Sequence, residues 1–404
     1  MVKRNMSLIV SNNFLTYLAD SIFDLAIAWY VYQLTGSAFF TATTTAISMT
    51  TNILVGPMIG VFIDRTEPKT SMQIGYAIMI LVGIILGGTY FFNVDGLLAV
   101  IYIALTLHNI CMIFIGPAQS KLLPRIVGEQ RIVKVKGYLS STTQTSDLIG
   151  QSIGGVVISV IGFVGVMLTH SAVYLLASIL LMFVINISLR KSESVPHSKP
   201  TVWSDLKGGF KILKQEKTIL KIILLAIAAN VSMIGGSLLV VLVSDQYNVN
   251  ATYYGLMNAS AAGFGILIGL FANKLVNLAK PYMMFAISLV LAGIGFVGMG
   301  LTANYYIGVV FFLVVTGATT LMNIIFGSLL IILVKDEFRG RVNTLLGAFS
   351  PILIPPIVLL GGYVADIYEV GYLFIFSGFW LMLVGVIPFI DRDIRSIDHL
   401  PNEG

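Results

Sequence analysis

Ser71-Met-Gln-Ile-Gly-Tyr-Ala-Ile-Met-Ile-Leu-Val-Gly-Ile-Ile-Leu-Gly-Gly-Thr-Tyr-Phe-Phe92 is a run of 22 residues without a charged side chain, closed by Lys69 on one side and by Asn93-Val-Asp-Gly96 on the other. As a helix rising about 1.5 Å per residue it covers about 33 Å, enough to cross a hydrocarbon layer of roughly 30 Å. The run is apolar throughout, whereas the strands of a membrane barrel are about 10 residues long and alternate apolar with polar. The whole chain has this character. Its 404 residues are 57% hydrophobic and 11% charged, against about 45 to 50% and about 25% in soluble domains.

Eleven further runs lie between polar punctuation, giving twelve predicted helices at 8–33, 37–63, 71–92, 97–119, 137–162, 165–189, 218–243, 252–273, 281–301, 305–334, 342–366 and 371–390. The expected fold class is an all-α membrane protein with both termini cytoplasmic. The side assignment comes from the basic residues. All 24 Lys and Arg fall before the first run or in every second connection after it, while Asn93–Gly96, Ser244–Thr252 and Asp366–Val370 hold none. Short loops rich in Lys and Arg stay in the cytoplasm. The net charge of +5 is therefore a matter of topology, with attraction to anionic lipid heads as a by-product and no nucleic-acid partner implied. The first run, although preceded by Lys3 and Arg4, is long and carries Asp20 and Asp24, so it reads as a retained span rather than a secretory signal.

The connection 190–217 divides the chain into six-helix bundles at 1–189 and 218–404. Within it Trp203, Leu206, Phe210 and Leu213 recur at helical spacing opposite Lys207, Lys211 and Lys214, the pattern of an interfacial amphipathic helix or of a frayed start to the seventh span. The halves echo each other. Gly60-x-x-x-Asp64-Arg65 follows the second run and Gly269-x-x-x-Asn273-Lys274 follows the eighth; Lys136-Gly137 opens the fifth and Arg339-Gly340 leads into the eleventh. Repeated halves point to a transporter with its substrate site near mid-membrane. Cys111 is the single cysteine, so internal disulfides and thiol-pair metal sites are excluded. No nucleotide loop, metal cluster or nucleophile with a base partner is legible; the chain reads as a non-enzyme without cofactor or metal.

Gly60-Val-Phe-Ile-Asp64-Arg65-Thr66-Glu67-Pro68-Lys69 resembles the loop motif of the major facilitator superfamily, with Glu67 and Pro68 in place of the usual Gly and Arg. Ser146-Asp147-Leu-Ile-Gly150-Gln151-Ser-Ile-Gly154-Gly155 is similar to the glycine-rich motif of drug/proton antiporters, with Ser146 and Gln151 where Gly and Pro stand. Leu34–Ala38, Gly56-Pro57-x-x-Gly60 and Gly116-Pro117-Ala118 resemble the macrolide-efflux-like branch of twelve-helix antiporters, and His108 occupies a place where many of these carry Arg. The resemblance implies a gate at Gly60, Asp64, Arg65, Lys69, Arg339 and Arg341, with Asp64 set against the amino end of the eleventh helix, where a carboxylate is favoured.

Asp20, Asp24 and Asp147 are the acidic residues inside the runs, and with His108 they sit at similar depth. A carboxylate there costs at least about 2.5 kcal/mol on insertion scales and normally faces a watery cavity. Asn13, Tyr17, Asp20 and Asp24 form one helical stripe; Ser140, Gln144, Asp147 and Gln151 form a second, and Thr41, Thr45, Ser48 and Asn52 a third, read mainly as packing. With no basic residue in the interior of the spans, at least one of Asp20 and Asp24 is expected to keep a releasable proton. Asp20, Asp24, Asp147 and His108 are the candidate proton-coupling groups, although Asp20 and His108 read equally as structural hydrogen-bonding groups. Asn13, Tyr17, Asp24, Gln144, Asp147 and Gln151 are the candidate substrate contacts. The expected protein is a monomeric, multi-pass exporter of the cell membrane whose partners are protons, membrane lipids and a lipophilic or cationic small molecule. A lipid or lysolipid translocase, a siderophore exporter, a proton-coupled symporter and a non-transporting ligand sensor remain open at this level.

Overall fold

The computed structural model describes residues 2–64, 66–185, 217–276, 278–334, 338, 342, 346 and 350–395. Among them there is no strand. The long helices are α1 (Val2–Thr35), α2 (Ala38–Asp64), α3 (Pro68–Phe91), α4 (Leu97–Val127), α5 (Ile132–Met182), α6 (Lys217–Ala229), α7 (Ala251–Val276), α8 (Pro281–Leu301), α9 (Tyr305–Leu333), α10 (Ile354–Ala365) and α11 (Val370–Ile390). Nine spans among the described residues are long and apolar enough to cross a membrane. The amphipathic segment expected at 203–213 lies outside the described residues.

Two predicted spans run together in α5. The break comes at Gly162, whose φ of 65° and ψ of −175° interrupt the helical backbone without a polar loop. A side chain is strongly disfavoured in that conformation, so glycine lets the chain turn at this point. The seventh predicted span is less regular. After α6 a 3-10 turn at Asn230–Ser232, a short α-turn at Met233–Gly236 and a π-turn at Leu242–Gln246 follow one another. Gly235, Gly236 and Ser237 explain the irregularity, because they hold helical geometry weakly.

The chain divides into two compact units. The first comprises Met1–Gly36, Ile47–His197 and Ala251–Ala259; the second comprises Ser37–Ala46, Ser198–Asn250 and Ser260–Gly404. Thus α2 and α7 each contribute to both.

In lipid there is little hydrophobic force between helices, so close contact depends on small residues. In the first unit α1 lies on the first half of α5, where a Cβ on Gly150 would stand 2.6 Å from the Cβ of Ser21. At the same contact Ser146 Oγ donates to Phe14 O (2.8 Å) and Ser21 Oγ to Asp147 O (3.2 Å). α3 meets the second half of α5 through Gly83 and Gly87. Gly155 faces Gly255 and the Ala251 carbonyl across the start of α7. Around these seams lies a core of Ile9, Met72, Tyr76, Met79, Leu122 and Tyr174.

Polar side chains fasten the core. Asn12 Nδ2 donates to Ala177 O (2.7 Å) and its Oδ1 accepts from Tyr76 (2.6 Å). Asn5 Nδ2 donates to Ile126 O (2.9 Å) and Ile185 O (2.7 Å). Helix-end carbonyls stripped of water need such donors.

In the second unit α8 and α11 touch through two glycine pairs, Gly293 with Gly378 and Gly300 with Gly371. Asp366, just past α10, caps the amino end of α2, accepting from Ala38 N (2.6 Å) and Ser37 Oγ (2.6 Å). Lys221 sits 2.6 Å from both Asp391 and Asp393, and holds the Asp391 carboxyl below the usual carboxylate range.

The Gly83 seam gives a direct test. A Cβ there would run into Ser171 Oγ and lie 2.5 Å from the Met167 carbonyl, which is backbone and cannot turn away. Gly83→Ala is expected to lower stability by about 1 to 3 kcal/mol. Gly88→Ala on the same helix, with nothing within 4 Å of the new methyl, should leave the thermal transition in detergent unchanged or slightly raised.

Candidate functional site

The polar stripe of α1 does not behave as one surface. Asn13 is buried, its Nδ2 donating to Leu139 O (3.2 Å), Thr142 Oγ1 (3.0 Å) and Thr143 Oγ1 (3.0 Å). It lines a small second cavity and not the main one. Tyr17 lines both. Asp20 is 5% exposed, while Asp24, one turn on, is exposed. The stripe is split by its neighbours: α4 and the second half of α5 close over Asp20, and Asp24 is left beside open space.

That space is a cavity of about 440 Å³ within the first unit. Tyr17, Asp20, Ser21, Asp24 and Leu25 of α1, Met112 of α4, Asp147 and Gln151 of α5, and Tyr254 and Asn258 of α7 line it. Three carboxylates, two amides and two phenol rings thus meet one apolar methionine and one leucine. The carboxylates of Asp24 and Asp147 make no hydrogen bond or ion pair with any described residue. Tyr254 stacks on Trp29 with ring centroids 6.0 Å apart, and its backbone carbonyl accepts from Asn258 Nδ2 (2.9 Å). Gln144, expected with this group, is exposed, bonds back to Ser140 and does not line the cavity.

Asp20 faces a different set of partners. Tyr174 Oη donates to both of its oxygens at 2.8 and 2.9 Å, and His108 Nε2 lies 3.1 Å from Oδ1. His170 Nε2 stands 3.5 Å from the same oxygen. Both imidazoles are buried, and Phe23 packs against each, with centroids at 4.4 Å from His108 and 4.7 Å from His170. Sequence reasoning named Asp20 and His108 but missed His170 and Tyr174. The available signal was a second histidine in the middle of an apolar run.

The threonine-rich face of α2 turns inward on its own backbone. Thr41 Oγ1 donates to Ser37 O (2.9 Å), Thr43 Oγ1 to Phe39 O (2.8 Å) and Thr44 Oγ1 to Thr41 O (2.7 Å). Ser48 takes a bond from Asn109 Nδ2 (3.1 Å).

Of the expected gate residues, Arg65, Arg339 and Arg341 lie outside the described residues, as does the side chain of Asp64; Gly60 is described only as part of α2. The described part of the 66–69 turn is held by α4 and α5. Lys121 Nζ donates to Ile63 O (2.6 Å) and Thr66 O (3.0 Å) at the end of α2. Arg125 meets Glu67 at 3.4 Å, and Glu67 also caps α3 through Thr70 N (2.8 Å). Lys69 Nζ donates to Met182 O (2.9 Å) and Val184 O (2.8 Å) at the end of α5. Cations near the last carbonyls of a helix complement its dipole.

Comparison with known proteins agrees with a helical transporter. Residues 9–276 match the family model of the Major Facilitator Superfamily. Macrolide efflux protein A of Streptococcus pyogenes is 24% identical over 400 residues, covering 94% of each chain. The uncharacterized MFS-type transporter YvqJ of Bacillus subtilis is 22% identical over 389 residues, 95% of this chain and 91% of that one. Among solved structures, the nucleoside transporter NupG superposes with a TM-score of 0.74 at 12% identity, covering 97% of this chain and 99% of that one. A bacterial homologue of the iron transporter ferroportin, inward-facing, gives 0.72 at 17% identity, covering 96% and 99%. This chain belongs to the Major Facilitator Superfamily and is a multi-pass membrane transporter of that family.

Proposed function

We propose that this transporter exports lipophilic, cationic small molecules, weak bases of macrolide type among them, in exchange for protons, by alternating access. The observation that carries the reading is the 440 Å³ cavity in which Asp24 and Asp147, with no hydrogen-bond or ion-pair partner among the described residues, stand beside Tyr17, Tyr254 and Met112. The volume falls in the range of about 300 to 1,000 Å³ usual for small-molecule sites. Unpaired carboxylates at mid-span attract a cation, and a phenol face adds about 0.5 to 2 kcal/mol for a desolvated one. A relative named for macrolide efflux over 94% of the chain supports the direction and the substrate class.

Proton exchange follows from the same two carboxylates. A site that holds a cation when ionised releases it when protonated, because the Coulomb attraction is removed while the desolvation of the cation remains. Asp24 and Asp147 share a cavity, so one incoming proton on either weakens the hold on a single bound cation. Exchange of one proton for one monovalent cation moves no net charge, so it draws on the pH difference, about 1.4 kcal/mol per pH unit; each further proton per cycle would add about 2.3 kcal/mol per 100 mV of membrane potential. Asp20 is not assigned to this exchange, since Tyr174 and His108 already occupy its oxygens.

Two measurements test the reading. In proteoliposomes with an imposed pH gradient, Asp24→Asn and Asp147→Asn should each lose uphill efflux of a cationic dye by about tenfold or more, the size of a removed proton-transfer group. Rates equal to the native protein would remove the coupling proposal. For the aromatic wall, Tyr254→Ala should raise the KM for cationic dyes by roughly 2- to 30-fold while Tyr254→Phe keeps it near native. An equal loss in both variants would point to the hydroxyl instead of the ring.

A further inference from the structure

The geometry points to a divalent transition-metal site, buried in the first unit and built from Asp20, His108 and His170. Their ligand atoms all lie within 4.8 Å of one another, and all three residues are at least nine-tenths buried. Asp20 Oδ1 is 3.1 Å from His108 Nε2 and 3.5 Å from His170 Nε2. In a tetrahedron whose ligands stand about 2.0 to 2.1 Å from the metal, neighbouring ligand atoms are about 3.3 Å apart. Two edges therefore already have the right length. The third edge, between the imidazole nitrogens, is within 4.8 Å and closes toward that length by rotation of the rings. Tyr174 Oη donates to both oxygens of Asp20, at 2.8 and 2.9 Å, and so orients the carboxylate ligand.

An independent observation points the same way. Among the described residues, neither ring nitrogen of the buried His170 has a hydrogen-bond partner. A buried imidazole without partners is disfavoured, since its lone pair and N–H are both dried without replacement. A cation set between the two Nε2 atoms satisfies a lone pair on each. His170 Nε2 already stands 3.5 Å from Asp20 Oδ1, and Phe23 packs against its ring at 4.7 Å.

The donor set selects the ion. Two imidazoles and one carboxylate suit zinc and its neighbours in the first transition row, whereas calcium and magnesium take oxygen ligands almost throughout. The charges agree. Asp20 cancels one positive charge, and Asp24, a single helical turn along α1, offers a second. Asp20 and Asp24 both line the large cavity, which gives the ion a route lined by carboxylates. An ion held there would cross-link α1, α4 and the second half of α5.

The test uses the full-length protein in detergent, with Co²⁺ alone as a spectroscopic probe and Zn²⁺ as competitor. The native protein should bind one equivalent of Co²⁺ with the intense visible bands of a four-coordinate ion, bleached by Zn²⁺. His170→Gln should weaken binding by more than about 100-fold, beyond what changes outside the ligand set produce. His170→Cys should restore a four-coordinate spectrum and add a thiolate-to-cobalt charge-transfer band, which a purely structural histidine would not yield. This second variant also decides the matter if His170→Gln fails to fold. Only the weak bands of the hydrated ion with the native protein, unchanged affinity in His170→Gln, or no thiolate band in a folded His170→Cys would each overturn the site.

Discussion

A polar side chain placed in hydrocarbon has three outcomes: it finds a protein partner, it reaches water, or it destabilises the fold by several kcal/mol. In the first unit this constraint sorts one stripe of α1 into two kinds of residue. Asn12, Asn13 and Asp20 are matched by groups from α3, α4 and α5, through bonds as short as 2.6 Å from Tyr76 to Asn12. Asp24 has no such partner among the described residues and opens on the cavity. The matched groups bind helices together; the unmatched one is available to something that enters and leaves. On the proposed reading, transport uses the second kind and rests on the rigidity supplied by the first.

Close approach of the helices makes this sorting possible. Gly150 and Gly154 let α1 settle on the first half of α5, which brings Asp147 to the same cavity as Asp24. Gly83 and Gly87 bring the second half of α5 against α3, and that half carries His170 and Tyr174 to Asp20. Spacing of small residues in the sequence is thus converted into the separation of charged groups. A methyl at either seam would move functional side chains as well as weaken packing, because the seams and the site share α5.

The spans were legible because an apolar run of about 20 residues admits few alternatives. What local pattern could not show was how two runs join, as at Gly162, where a single backbone angle replaces a loop. Within the site, Tyr17, Asp24, Asp147 and Gln151 were visible as helical stripes, and all four line the cavity. Asn13 and Gln144 shared those stripes, but periodicity fixes a direction on one helix and says nothing of which neighbour faces it. Asn13 points at threonines of α5, and Gln144 at its own backbone. Tyr254 and Asn258 went unread because they sit 103 and 107 residues beyond Gln151 in an otherwise apolar run, where one tyrosine among 17 carries no special mark. His170 went unread for the same reason: its meaning comes from Asp20, 150 residues away.

The placement of Asp20 beside Asp24 has a consequence for how charge is managed. Two carboxylates one turn apart repel, and in a medium of low polarity the repulsion is strong. Tyr174 and His108 surround the Asp20 carboxylate with hydrogen bonds in its buried position. The negative field of the pair draws a cation toward Asp24, and its arrival relieves the repulsion. An ion bound at Asp20 and the two histidines would reverse that field. Metal occupancy and the capture of a cationic substrate at Asp24 would then oppose each other through a separation of one helical turn.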